Sequence, residues 1–288
     1  MAKQEYSIPA LAAQLQTEAD AYEMLERLRW DGQPVCPHCG SIAAHYFLTP
    51  RNGVSRKTRT GSKSQRRVWK CKDCRRQFSV LTGTIFHGSK IPVRTWIFVV
   101  FEMCASKNGV AAREIERKYN LTGKSAWFML HRIREAMRRE PLAGLLAGTV
   151  VADETWIGGK PSNRHGYVPG ENQTTTKTPV LSLVNSETRE VRSRVVPNVS
   201  GATLRQAIAD EVDGSRTFLH TDGAKPYTVV ARDMARHEWV DHAAGEYVRN
   251  GVSTNLAEGF FSQLKRSLDG THHHVSVEHL DRYLGQFD

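Results

Sequence analysis

Two Cys-x-x-Cys pairs, Cys36-Pro37-His38-Cys39 and Cys71-Lys72-Asp73-Cys74, constrain this chain more than any other feature. The repeated spacing is that of a four-thiolate structural zinc site, which ties two distant stretches to one point. A disulfide framework does not suit a chain whose first 16 residues lack a basic region followed by an apolar core, and a redox role needs only one pair. One Zn²⁺ on Cys36, Cys39, Cys71 and Cys74 is predicted, with His38 and His45 as alternative ligands. A ribbon of this size has too little core to fold without metal, so the zinc is read as structural. Residues 10–28 carry helical periodicity through Leu11, Leu15, Tyr22, Leu25 and Leu28, and are predicted as one helix packed on the ribbon.

The net charge of +10 is concentrated in the stretch leading into and through the second cysteine pair. Residues 51–76 hold eleven Lys or Arg against one acid, Asp73, so the rest of the chain is neutral. Such a cluster is an electrostatic footprint for a polyanion, and Arg56, Lys57, Arg59, Lys63, Arg66 and Arg67 are candidate phosphate contacts. The Gly, Ser and Thr content of 49–64 suggests a mobile loop that orders on nucleic acid.

Residues 111–119 and 124–137 read as two helices around the turn Asn120-Leu121-Thr122-Gly123, a helix-turn-helix pattern. Lys124, Ser125 and His131 are its candidates for reaching bases or phosphates, and Trp127, Leu130 and Ile133 its core positions. Cys104 closes an apolar stretch, 96–104, and is expected to be a buried thiol. That stretch is far shorter than the roughly 20 residues of a membrane span, and a cytoplasmic location is expected.

Three acids define the last part of the chain. Asp153 follows the β-branched run Thr149-Val150-Val151, and Asp222 follows Thr217-Phe218-Leu219-His220-Thr221, so both are expected at the carboxyl ends of buried strands. Glu154 is the alternative to Asp153 if the register shifts by one. Glu258 stands on a predicted helix with Leu256, Phe260, Phe261 and Leu264 on its apolar side and Ser253 or Thr254 as cap. Lys265 is nearly two turns further on, on the same face as Glu258. Two strand carboxylates and one helix carboxylate suit a pair of divalent metals held against a phosphodiester.

Between the acids, 178–185 and 189–196 read as strands joined by Asn185-Ser186-Glu187-Thr188. A helix over 200–212, a helix near 225–234 and a short strand near 237–240 follow. Three strands, helix, strand, helix, strand, helix is the order of the ribonuclease H-like fold. The predicted architecture is therefore α/β: zinc ribbon over 1–80, helix-turn-helix-like region over 81–145, and catalytic domain with a mixed five-stranded sheet over 146–288.

Several motifs together resemble bacterial insertion-sequence transposases that join an amino-terminal zinc ribbon to a DDE catalytic domain. They are Leu28-Arg29-Trp30 before Cys36-Pro37-His38-Cys39-Gly40, Leu81-Thr82-Gly83-Thr84-Ile85-Phe86, and the run from Ala126 to Arg134. Asp153-Glu154-Thr155 with Gly158-Gly159, His220-Thr221-Asp222-Gly223, and Asn255 through Lys265-Arg266 complete the series. The resemblance implies that Asp153, Asp222 and Glu258 hold two Mg²⁺ (or Mn²⁺), that Lys265 assists with DNA, and that Asn255 is a neighbouring ligand or orienting group. His272-His273-His274 also fit the pattern, as DNA or metal-site contacts or as a capping loop. The implied activity is binding of terminal inverted repeats in double-stranded DNA, followed by hydrolysis and strand transfer by a homodimer or larger assembly. A hydrolysis-only nuclease and a non-catalytic DNA-binding regulator are the competing readings.

Overall fold

The computed structural model describes residues 7–42, 45–48, 67–138, 144–159 and 177–288. These divide into two compact units, Met1–Ser106 with Arg113–Met129, and Lys107–Ala112 with Leu130–Asp288. The stretch 81–145 is shared between them. Among the described residues no helix is long and apolar enough to cross a membrane.

In the first unit, helices α1 (Ile8–Gln14) and α2 (Glu18–Trp30) replace the single helix expected over 10–28. Thr17 makes the break: its hydroxyl accepts from Asp20 N, and Asp20 accepts from Thr17 N at 2.7 Å, a capping box that starts a new helix. Leu11, Leu15 and Tyr22 stay buried, whereas the restart leaves Leu28 66% exposed. Strands β1 (His45–Phe47), β2 (Trp69–Cys71) and β3 (Gln77–Phe78) form an antiparallel sheet in that order. Trp30 packs edge-on against Trp69 and Phe78, with ring centroids 6.3 and 5.8 Å apart.

Helix α3 (Val93–Ala105) begins after Pro92, and its first amides are capped from a distance by Glu18, whose carboxylate accepts from Val93 N and Arg94 N. Its buried face is Val93, Trp96, Val99 and Met103, and Cys104, one residue further round, is exposed rather than buried. Helices α4 (Ala112–Tyr119) and α5 (Gly123–Met137) flank a turn in which Asn120 takes φ +49° and Thr122 Oγ1 accepts from Ser125 N. Lys118 and Tyr119 both reach Glu102 on α3, at 2.8 and 2.7 Å. Helix α5 belongs to the first unit up to Met129 and to the second from Leu130.

The second unit contains β4 (Leu146–Ile157), β5 (Thr178–Asn185), β6 (Val191–Val195), α6 (Gly201–Ala209), β7 (Val212–Thr221), α7 (Tyr227–Val230), β8 (Arg236–Trp239), α8 (Asn255–Ser267) and α9 (Val277–Phe287). The sheet order is β6-β5-β4-β7-β8, with β4, β5 and β6 antiparallel and β7 and β8 parallel to β4. The β5–β6 turn is set by Asn185, whose Oδ1 accepts from the amides of Glu187 and Thr188. Ser200 caps α6. The helix expected near 225–234 is one turn of α7 continued by the 3₁₀ turn Ala231–Asp233.

Alternation along the strands splits the core between the two faces of the sheet. Val150, Ala152, Leu181, Leu183 and Leu219 pack with Leu204 and Ile208 of α6 and with Tyr227 and Val230 of α7. Val151 and Val184 face the other way, onto Ala257 and Phe261 of α8. Val180, Leu264, Leu268, Leu280 and Leu284 extend that second layer to α9. Two outward amides of the edge strand β6 are occupied by α9 and the residue after it: Ser193 N donates to Asp288 and Val195 N to Asp281, at 3.0 and 3.1 Å.

Candidate catalytic site and zinc cluster

The two knuckles bring Cys36, Cys39, Cys71 and Cys74 together with all four Sγ atoms within 4.8 Å of one another. Gly40 N donates to Cys36 O and Cys71 N donates to Arg76 O, closing each loop. The Cys36–Cys74 and Cys39–Cys71 separations are 3.7 and 3.8 Å, matching the edge of about 3.8 Å of a tetrahedron with Zn–S bonds of about 2.3 Å. Burial opposes ionisation of Cys36, but the amides of His38 and Cys39 and the neighbouring thiols bring it down to about 7. For Cys39 the Ser41 amide favours the thiolate, yet burial and the three other thiols push it up to about 12. Four such groups become thiolates together only around a cation, so the cluster fits zinc. His38 and His45 are not in the ligand set; their rings contact the Gln77 and Ser41 carbonyls.

In the second unit, the parallel β4–β7 ladder pairs Val150 with Leu219 and Val151 with His220. Two residues past this last pair stand Asp153, still on β4, and Asp222, just after β7, near enough for the Asp222 charge to act on Asp153. Asp222 directly follows β7, as expected, but Asp153 is not at the end of its strand: pairing with β5 carries β4 on to Ile157. Asp222 Oδ1 accepts from Ala224 N, and Gly223 turns the chain at φ +76°, where a Cβ would meet the Trp239 ring.

Asp153 shares the parity of Val151 and thus the α8 face of the sheet. Burial is the main force raising its carboxyl to about 6; the Glu154 amide, donating at 2.8 Å, pulls the other way, and the charges of Asp222 and Glu258 add to the rise. Glu154 points to the opposite face, towards Tyr227. Burial pushes it up to about 7, and neither its Oε1 nor the Tyr227 hydroxyl has a hydrogen bond of ordinary geometry among the described residues. The two candidates that the sequence leaves open thus face opposite sides of the sheet.

Glu258 lies in the first turn of α8. Thr254 precedes the helix in the cap position, but its hydroxyl makes no capping bond; it donates to Glu258 Oε1 at 3.2 Å and lies 3.1 Å from His242 Nε2. His242 Nδ1 is 3.6 Å from the same Oε1, and His242 also pulls the Asp153 carboxyl down. Among the described residues the four thiols are the one group close enough to share a single ion, so the three acids do not converge on one point. Asn255 opens α8 and is exposed, as is Lys265, which lines a groove with Ser262, Arg266, Asp269 and Gly270.

Other expected contacts fall elsewhere. Arg56, Lys57, Arg59, Lys63 and Arg66 lie outside the described residues. Arg67 is clamped by Glu23 and Glu26 of α2, at 2.7 and 2.9 Å, and so is a brace for the ribbon rather than a ready phosphate contact. Lys124 is exposed, and Ser125 is engaged by Thr122. His131, expected to reach DNA, is turned inward, 4% exposed, against His279 and Tyr283. Leu130 and Ile133 are core residues, but Trp127 is 40% exposed. His272 packs on Tyr283 while His273 and His274 are exposed. The sequence reading missed His242 and the second use of Thr254: neither sits in a motif, and a Ser or Thr before a helix signals only a cap.

The chain belongs to the ISXO2-like transposase family: that domain matches residues 145–288, and a transposase zinc-ribbon domain matches residues 16–77. Its second unit has the ribonuclease H-like fold, and its four clustered cysteines belong to the zinc ribbon. The chain is 26% identical over 282 residues to an uncharacterized protein in transposable element ISH50 of Halobacterium salinarum, covering 94% of this chain and 90% of that one. Among solved structures it is similar to a chain of the simian T-cell lymphotropic virus intasome in complex with PP2A regulatory subunit B56 gamma, at TM-score 0.31 and 14% identity over 66% of each chain. It is similar at the same TM-score and identity to the Mos1 transposase paired-end complex with left transposon end, over 67% of this chain and 69% of that one. Both likenesses are too distant to assign a role to any residue here.

Proposed function

We propose that the chain cuts double-stranded DNA at the ends of an insertion sequence and joins them to a target, with Asp153, Asp222 and Glu258 as the acids of the site. The observation that carries this reading is the charge coupling of Asp153 with Asp222 and Glu258, two residues past the last pair of the parallel β4–β7 ladder. A half-buried carboxylate pushed up to about 6, with two like charges acting on it, fits a site completed by divalent cations. Oxygen donors of this kind suit Mg²⁺ or Mn²⁺. Two such ions, when bound, activate the attacking oxygen and stabilise the leaving one.

The protein's own part is positional. Asp153 is fixed by a sheet strand and by the Glu154 amide, Asp222 by the Gly223 turn, and Glu258 by the Thr254 hydroxyl. Lys265, on the same helix as Glu258, supplies a cation for substrate phosphate, and Asn255 stands one turn before Glu258 as a neighbouring polar group. In such a site water attacks phosphorus first, releasing a 3′-hydroxyl. That hydroxyl then attacks target DNA, so no Ser, Cys or Tyr nucleophile is required. The zinc ribbon and the α4–α5 pair are the proposed DNA-binding parts, acting in a dimer or larger assembly that holds two ends.

The test is a cleavage and joining assay with Mg²⁺ on DNA flanking the chain's own gene, comparing the native protein with Asp153→Asn, Asp222→Asn and Glu258→Gln. Cleaved and joined products, falling in each variant by more than the roughly 100-fold cost of losing an outer-shell partner, support the proposal. Cleavage without joining makes the protein a nuclease, and metal-independent binding alone makes it a regulator. Activity retained in Glu258→Gln but lost in Asn255→Ala moves the third ligand to Asn255.

A further inference from the structure

The Thr254 hydroxyl is fully buried at the start of α8, yet it leaves the helix amides and bridges Glu258 and His242. A carboxylate only accepts, so the one hydroxyl proton goes to Glu258 Oε1. The hydroxyl oxygen is then left to accept from His242 Nε2–H. Donation through Nε2 leaves Nδ1 as the ring atom that can turn to a cation.

His242 Nδ1 lies 3.6 Å from Glu258 Oε1, too long for a hydrogen bond. Two atoms of ligand type, a ring nitrogen and a carboxylate oxygen, thus border one gap, and His242 is within electrostatic reach of Asp153 as well. Two ligands of one ion, with bonds of about 2.1 Å, stand roughly 3.0–3.6 Å apart at angles from about 90° to about 120°. The ring is also held from the side by Tyr247, with centroids 5.3 Å apart.

We propose that His242 is a nitrogen ligand of the acidic site, oriented by Thr254, and that it biases the site towards Mn²⁺ over Mg²⁺. This rests on the reading of Asp153, Asp222 and Glu258 as metal-holding acids. Carboxylates alone suit Mg²⁺ and Mn²⁺ alike, whereas imidazole adds a donor that later divalent metals accept more readily. Thr254 acts on the metal only through the ring, and is a positioning residue.

The experiment is Mn²⁺ titration of the full-length, zinc-loaded chain without DNA, read by electron paramagnetic resonance and by ¹⁴N modulation of the electron spin echo. Native protein, His242→Ala, His242→Gln, Thr254→Val and Asp153→Asn are compared, with Mg²⁺ as competitor. The expected result is an imidazole ¹⁴N signal in the native protein that is absent in both His242 variants. Mn²⁺ affinity should fall about tenfold or more in those variants and by less in Thr254→Val, a range set by ligand and outer-shell losses. Mg²⁺ affinity should fall less than Mn²⁺ affinity. No ¹⁴N signal in the native protein, or one that persists in both His242 variants, overturns the assignment of His242 while Asp153→Asn still abolishes binding. Unchanged Mn²⁺ binding in Asp153→Asn instead overturns the reading of the acids themselves.

Discussion

Asp153 and Glu154 are consecutive in the chain, yet their carboxyl groups lie on opposite faces of the sheet. Strand parity gives Asp153 to the α8 side with Val151 and Glu154 to the Tyr227 side with Val150 and Ala152. Asp153→Asn should therefore abolish DNA cleavage, whereas Glu154→Gln should keep it within about a factor of three, under 1 kcal/mol of barrier. Single-turnover cleavage of labelled DNA checks both. Equal loss in the two variants would remove the distinction.

Gly223 sits at φ +76° immediately after Asp222, with the Trp239 ring where a Cβ would be. Gly223→Ala adds a left-handed backbone penalty of about 1–2 kcal/mol and overpacking of about 1–3 kcal/mol. The variant should melt roughly 5–15 °C lower than the native chain, and Asp222 should be displaced with it. Differential scanning calorimetry and the cleavage assay read the two effects separately.

Burial, followed by the charges of Arg134, His279 and Arg282, brings His131 down to about 4. The unfolded chain, with an ordinary imidazole, then binds its proton first as pH falls, so the stability contributed by the neutral ring is present above about 6.5 and lost down to about 4. The shift corresponds to about 3 kcal/mol. His131→Phe, which keeps an aromatic ring against Tyr283, should flatten the acid limb of stability over that window. Urea midpoints measured from pH 7 to pH 4 check it, and parallel curves for the two proteins would exclude His131 as the source.

The thiol tetrahedron predicts one zinc per chain. Cys39→Ser should lower the bound zinc well below one equivalent, because one of the four Sγ donors is replaced by a weaker ligand. The ribbon should loosen with it, since the Trp30–Trp69–Phe78 packing surrounds the cluster. Atomic absorption and tryptophan fluorescence report the two changes. Full zinc content in Cys39→Ser would mean another group completes the set.

What could be read in the sequence was whatever local chemistry dictates. The cysteine spacing, the Asn185 turn, the Ser200 cap and the alternation of β5 and β6 all announce themselves within a few residues. Features decided by a distant partner did not. His131 lies on a basic helix and looks outward until α9 supplies Tyr283 and His279 to cover it. Arg67 belongs to a dense basic run, and only the fold reveals Glu23 and Glu26 beside it. Thr254 has the right type and place for a cap, but the hydroxyl is spent on a histidine twelve residues earlier. The break at Thr17 was local and legible in principle, because Asp20 provides the other half of the capping box.

The β6 margin of the sheet has a consequence for assembly. The outward amides of Ser193 and Val195, which would otherwise template another strand, are already taken by the carboxylates of Asp288 and Asp281. Hydrogen bonds in exposed places contribute about 0.5–1.5 kcal/mol each, so strand addition here would first have to break two of them. Any pairing of copies is thus steered away from the β6 margin, where α9 and Asp288 stand guard over that side of the sheet.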